Sequence, residues 1–190
     1  MQKPIKRCGW CLNDLLMTKY HDEQWGVPLH DDKKLFEYMV LDTFQAGLSW
    51  KTILHKRDNF RKAFDNFNPD IIAEYDSKKV EALMNNSGII RNKLKIMATV
   101  TNAQAFIKIQ NEFGSFDKYI WQFTNNKTIK NKFKTIIEIP SQSKESETMS
   151  KDLKKRGFKF VGSTICYAFM QAAGMVNDHT TDCFRYKELK

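Results

Sequence analysis

The sequence predicts an all-α fold whose two ends are drawn together by a shared metal. Three observations carry that expectation. Apolar residues recur at helical spacing nearly throughout, with no convincing alternation of period two. Cap-type residues and glycine stops punctuate the chain at intervals that suit helices. Two metal-type ligands, Cys8 and His21, lie near the start, and two more, His179 and Cys183, near the end. The ordinary alternative makes His21 and His179 polar histidines and Cys183 a buried thiol.

The elements follow in order. Asp31-Asp32 opens a helix with Leu35, Phe36, Met39, Val40 and Thr43 on its apolar face, and Gly47 ends it. Ser49 caps a second helix, with Trp50, Ile53, Leu54, Phe60, Ala63 and Phe64 on one side. Pro69 suits the first turn of a short helix. Ser77 precedes a helix carrying Val80, Leu83 and Met84, which Gly88 stops. A long helix runs from about 91 to 112 with Ile96, Val100, Ala103, Phe106, Ile107 and Gln110 along one stripe, and Gly114 caps it. Ser115 begins a helix with Phe116, Tyr119, Ile120 and Phe123. Residues 124–148, rich in Lys, Asn, Ser and Thr, read as loop; helices resume at about 149–155 and 161–173.

A chain of 190 residues fits a single domain over 1–190, with a small metal-clasped subdomain from about 1–30 and 150–190. Hydrophobic residues at 42% and aromatics at 13% exclude a disordered composition. Lys and Arg outnumber Asp and Glu by 31 to 22, a net +9 that attracts polyanions, nucleic acid above all. A Lys-rich proteome would give the same excess without that meaning. No segment has the apolar core of a signal peptide or the ~18 apolar residues of a membrane span. A cytoplasmic, monomeric protein without membrane contact is expected, and its cysteines are then reduced.

His179 and Cys183 are four apart and share a face if that segment is helical. The four ligands match no compact zinc finger, where all lie within about 30 residues. Cys8-Gly-Trp-Cys11 is a CxxC, but no strand precedes it and no βαβ pattern follows, which speaks against a thiol redox protein. Cys11 is then a spare ligand or a packed thiol. His30 and His55 read as surface residues.

The turn at Gly88 joins two helices and is followed by Arg91, Lys93 and Lys95. Free N–H groups at the next helix start favour a phosphate. A plain helical hairpin with surface lysines has the same pattern. Trp10, Tyr20, Trp25 and Trp50 crowd into the first 50 residues together with Asp42. Large aromatics usually fill core, but they also stack on bases, and a carboxylate among them needs a partner.

At these residues the chain resembles the DNA-3-methyladenine glycosylase I family. The likeness lies in Arg7-Cys-Gly-Trp10, Tyr20-His-Asp-Glu-Gln-Trp-Gly-Val-Pro28, Lys34-Leu-Phe-Glu37, Gln45-Ala-Gly-Leu-Ser-Trp50, Ser87-Gly-Ile-Ile-Arg91, residues 150–162 and Val176-Asn-Asp-His179. The resemblance implies a helix-hairpin-helix glycosylase fold and a structural Zn2+ held by Cys8, His21, His179 and Cys183. It implies hydrolysis of the N-glycosidic bond of 3-methyladenine in alkylated double-stranded DNA, by a monofunctional enzyme. Trp10, Tyr20 and Trp50 fall where the family forms its base pocket, Asp42 at its pocket carboxylate, and Gly88 at the phosphate-gripping turn with Arg91 beside it. Asp42 and Tyr20 are the expected catalytic pair.

Given that activity, Ala46-Gly47-Leu48 suits a wedge that enters the space the base vacates. Residues 92–111 contain no Asp or Glu, so no carboxylate on that helix drives the reaction. Two departures from the family stand out. Asp42 replaces the usual Glu and is shorter by one C–C bond, about 1.5 Å. Ala168 stands where many relatives carry Ser. The rival reading is a zinc-stabilised DNA-binding module without catalysis, which would not need the acid and aromatic pocket.

Overall fold

Every residue of helix α2 (Asp32–Gln45) from Leu35 to Phe44 is buried. One apolar face is expected from the sequence. In the computed structural model, which describes residues 5–189, α3 (Trp50–Ala63), α6 (Lys93–Phe113), α7 (Phe116–Trp121) and α9 (Ser163–Ala172) all pack on it. Residues 1–4 and 190 of the expected 1–190 domain lie outside the described residues. Enclosure on all sides forces two carboxylates of α2 inside. Glu37 is neutralised by Arg57 and Arg61 of α3, the latter at 2.8 Å. Asp42 receives no such partner.

The helix starts follow the sequence closely. Asp31 accepts from the Lys34 amide at 2.8 Å, Ser49 from Thr52 at 3.2 Å and Ser115 from Lys118 at 3.1 Å. Pro69 opens α4 (Pro69–Ala73), and Gly114 closes α6. Asp32 adds a longer-range cap: its carboxylate accepts from the Phe116 and Asp117 amides, each at 2.8 Å, joining the start of α2 to the start of α7.

Four expectations are corrected. The cap of α5 (Ser77–Asn85) is Asp76, which accepts from Lys79, and the helix ends at Asn85, so Gly88 does not stop it. The helix α8 (Lys144–Lys155) begins five residues before the expected 149, because Ser143 and Ser146 form a reciprocal capping box. Two short parallel strands, β1 (Ile129–Lys130) and β2 (Val176–Asn177), pair where none is expected; a two-residue strand is too short to show alternation. Finally, His179 and Cys183 are not on a helix. They flank a turn closed by the Cys183 amide on Thr180 O at 2.8 Å, and Cys183 caps α10 (Phe184–Glu188).

The segment after α1 (Leu15–Glu23) and the strand β2 both meet α9. The amides of Gly26 and Leu29 donate to Gln171 O and Ala173 O at 2.9 and 3.0 Å, which fixes the strand of chain after α1. Gly174 makes this approach possible. It has φ +69°, and an added Cβ would lie 2.3 Å from Val27 C and 2.4 Å from Pro28 N. Gly174→Ala is expected to cost about 3 kcal/mol or more, from left-handed strain plus backbone overlap. At about 2–4 °C per kcal/mol for a chain this size, a thermal melt should fall by roughly 6–12 °C. A melt within a degree of the parent would mean the two segments separate freely. No helix among the described residues is long and apolar enough to cross a membrane.

Candidate active site and metal centre

α1 places two functions side by side. Tyr20 faces a cavity, and His21, its neighbour in sequence, faces a cluster of ligands. The sulfur and nitrogen atoms of Cys8, His21, His179 and Cys183 lie within 4.8 Å of one another, and all four residues are buried. His21 Nε2 and His179 Nδ1 are 3.2 Å apart. Cys183 Sγ is 3.5 Å from the first and 3.6 Å from the second, and Cys8 Sγ is 3.7 Å from His179 Nδ1. A zinc tetrahedron with bonds of about 2.05 Å to nitrogen and 2.3 Å to sulfur has edges of about 3.3 Å and 3.6 Å. The observed spacings fit it.

The outer partners of the imidazoles make the fit chemical as well as geometric. His21 Nδ1 donates to Asp22 at 2.8 Å, and Arg7 holds that carboxylate from the other side at 2.8 and 2.9 Å. His179 Nε2 donates to Trp25 O at 3.0 Å. Both tautomers are thereby assigned, which leaves an acceptor nitrogen on each ring, 3.2 Å apart, with the Cys8 amide donating weakly to His21 Nε2 at 3.4 Å. Two acceptor nitrogens and two sulfurs at these spacings suit a shared cation. Cys11 stands apart from this set: its thiol donates to Cys8 O at 3.1 Å, and burial pushes it up to about 11. It is a packed, protonated thiol.

The cavity on the other side of Tyr20 has a volume of about 430 Å³. Trp10, Tyr20, Trp25 and Trp50 wall it, with Tyr20 and Trp50 ring centroids 5.1 Å apart and Trp10 and Trp25 in edge contact at 5.0 Å. Asp42 enters from α2. Only 2% of the residue is exposed, and its Oδ2 has no hydrogen-bond partner. The Trp50 Nε1 donor is also unpaired. Burial pushes the Asp42 carboxyl well above the usual carboxylate range, and the charge of Arg57 offsets only part of this. Burial likewise raises Tyr20, which stays a neutral phenol. Ala168 lines the wall and offers no polar atom there.

The expected pocket residues Trp10, Tyr20, Asp42 and Trp50 therefore meet in one place. Sequence reasoning missed Met17, Gln45, Tyr167 and Gln171, which also line the cavity. It missed the cover over the mouth as well. Ile136, Ile139, Pro140 and Ser141, inside the stretch read as a plain loop, close one side of the cavity. The adjacent Ile136-Ile137 pair in an otherwise polar run was the available signal.

Two further groups surround this centre. The turn after α2 holds Gly47 at φ +79° and leaves Leu48 41% exposed at its tip. Residues 86–92 link α5 to α6. The Gly88 amide is already engaged by Asn86 Oδ1 at 2.8 Å, so it is not a free donor. Exposed Arg91 and Lys93 follow, and Lys56 reaches the same turn through Ser87 O and Gly88 O at 3.2 and 3.3 Å. Lys95, read from sequence as one of several surface cations, is in fact buried, and it does not line the cavity.

The methyladenine glycosylase family profile matches residues 10–186. The DNA-3-methyladenine glycosylase 1 of Escherichia coli K12 is 47% identical over 182 residues, covering 96% of this chain and 97% of that protein. A crystal structure of 3-methyladenine DNA glycosylase I superimposes with TM-score 0.92 at 46% identity, covering 94% and 98% of the two chains. A Staphylococcus aureus 3-methyladenine DNA glycosylase I, solved to explain its 3-methyladenine recognition, gives TM-score 0.91 at 34% identity, covering 96% and 97%. Sequence and structure agree across nearly the whole length, and this chain belongs to the methyladenine glycosylase family.

Proposed function

We propose that the protein excises 3-methyladenine from alkylated double-stranded DNA, hydrolysing the N-glycosidic bond and leaving an abasic site. The observation that carries this reading is the buried, unpartnered carboxyl of Asp42 inside an aromatic cavity large enough for a purine. Such a group is costly in an empty pocket and finds its partner only when a donor or a cation enters.

Methylation at N3 makes adenine cationic while it is still bonded to the sugar. The lesion must leave the stack, at a cost of a few kcal/mol that is least for a damaged base. Ala46-Gly47-Leu48 fills the vacated space, and the apolar tip of Leu48 suits that role. Trp50, Tyr20 and Trp10 bind the ring through its faces, worth about 0.5–2 kcal/mol per cation–π contact. Asp42 accepts from a ring or exocyclic donor. A nearby positive charge drives Asp42 towards its anion, whereas neutral adenine leaves it uncompensated, and selectivity follows from that difference. The cationic purine is already a good leaving group. Water attacks the sugar carbon without a strong general acid, and Tyr20 acts as a neutral wall and hydrogen-bonding phenol.

In this reading the linker between α5 and α6 is the hairpin that meets the DNA backbone, with Arg91 and Lys93 supplying charge. The clasp of Cys8, His21, His179 and Cys183 holds one structural Zn2+ and makes residues of about 1–30 and 150–190 one subdomain of a single-domain monomer working in the cytoplasm. Zinc supplies a crosslink, not a reacting group. A non-catalytic DNA-binding module would leave the cavity unexplained, and a thiol redox role is disfavoured by the packing of Cys11, fully buried with its thiol donating to Cys8 O.

The test is a chromatographic profile of bases released from methylated DNA by the metallated protein. Free 3-methyladenine should dominate. Intact glycosidic bonds after prolonged incubation would refute the assignment.

A further inference from the structure

Lys95 is the buried cation that this mechanism does not use. It is the third residue of α6, at the helix start, where the partial positive charge of the helix disfavours an ammonium. It is also 5% exposed, and burial lowers its basicity. Two unfavourable placements coincide, so something must offset them. The offset is at the opposite helix end: Nζ donates to Phe44 O at 2.9 Å and to Ala46 O at 2.5 Å. These are orphan carbonyls at the negative end of α2. The carbonyl between them, Gln45 O, is taken by the Leu48 amide at 2.6 Å.

We infer that Lys95 is a positioning residue that tethers the Ala46-Gly47-Leu48 wedge to the start of α6, and so couples the DNA-backbone contact to base extrusion. The inference rests on the glycosylase reading above. Its physical basis is that the wedge turn has few constraints of its own. Gly47 has open space around it and a left-handed backbone, and Leu48 projects into solvent. A turn that must enter a stacked duplex loses its ordering entropy at that moment unless it is held beforehand. Lys95 holds it from the element whose first residues follow the 86–92 linker. A force at the linker therefore reaches the wedge through one side chain. The same amine is excluded as a lyase nucleophile, since both carbonyls occupy it and it lies outside the cavity.

Lys95→Met keeps the stem out to the ε position and removes the ammonium donors. Excision from duplex DNA under single-turnover conditions should fall about tenfold or more, as for a loop displaced by a fraction of an ångström to an ångström. Affinity for free 3-methyladenine, which needs only the cavity, should stay within about twofold. The variant should cost little when Leu48 is already Ala, because both act through one wedge. Lys95→Gln, one bond too short but still a donor, gives the same split if the Met variant does not fold. Duplex excision within about twofold of the parent, an equal fall in base affinity, or an additive loss with Leu48→Ala would each overturn the tether. A parent protein that releases no base would instead refute the glycosylase reading, which the free-base measurement shows separately.

Discussion

Asp42→Asn should make the free protein more stable and nearly inactive. The carboxyl lies in a site that disfavours its charge, with one oxygen unpaired. An amide has the same shape and no charge to desolvate. Excision should drop about a hundredfold, near 3 kcal/mol of transition-state stabilisation, since a charge-assisted contact to the cationic base is lost. Stability should rise by about 1–2 kcal/mol, the usual gain when a strained active-site group is removed.

The pH dependence gives a sharper check. The folded-state pKa of Asp42 is raised, so in the parent its contribution is fully favourable below the unfolded pKa near about 4 and is lost as pH rises through the folded value. Asn does not titrate. The melting temperatures of the two proteins should therefore lie close near pH 4, with the variant pulling ahead as pH increases. A gap independent of pH would show that Asp42 titrates normally in the fold, and undiminished excision would remove it from the mechanism.

Cys8→Ser should be strongly destabilising. The cluster joins residues 171 apart in sequence, as between Cys8 and His179, and its four buried donors would share the proposed ion. Structural zinc contributes up to about 10–16 kcal/mol in small domains, and a domain with its own core keeps a fraction of that; a loss on the order of 5 kcal/mol is expected. Metal content should fall well below one per chain, with a melt lowered by more than about 10 °C. Activity at low temperature should suffer less, but not be spared. His21 rings contact Trp10 at 5.4 Å, and His179 contacts Trp25 at 4.7 Å, so the clasp backs two walls of the base cavity. A zinc-free protein with the parent melt would show that the cluster is ornamental.

What the sequence revealed and concealed follows from range. Caps are local, and Asp31, Ser49, Pro69, Gly114 and Ser115 all act where the sequence places them. The four clustered donors were legible through their residue types and the family motifs; the condition that His179 and Cys183 share a helix face is not met, and a turn brings them together instead. The aromatic and acidic pocket residues were legible through family motifs. Non-local facts were not. Nothing near Lys95 in sequence announces the carbonyls 49 and 51 residues away that bury it. The Ile136-Ile137 pair is an apolar island in a polar run, but nothing local says that Ile136 lines the same cavity as Trp10 and Tyr20. The polar face of α8 hid its first turn, since Ser143 and Ser146 are as common in loops as in caps.

The clasp also imposes an order in time. His21 leaves the ribosome 158 residues before His179, and Cys183 comes later still. At synthesis rates of about 5–20 residues per second, the first two donors wait roughly 8–30 s for the others. During that interval Cys8 and Cys11 form an open dithiol on a nascent polypeptide, accessible to oxidants and to the wrong ion. On the proposed zinc clasp the site is complete only once Cys183 has emerged, so metal supply around synthesis would bear on how much of the protein matures.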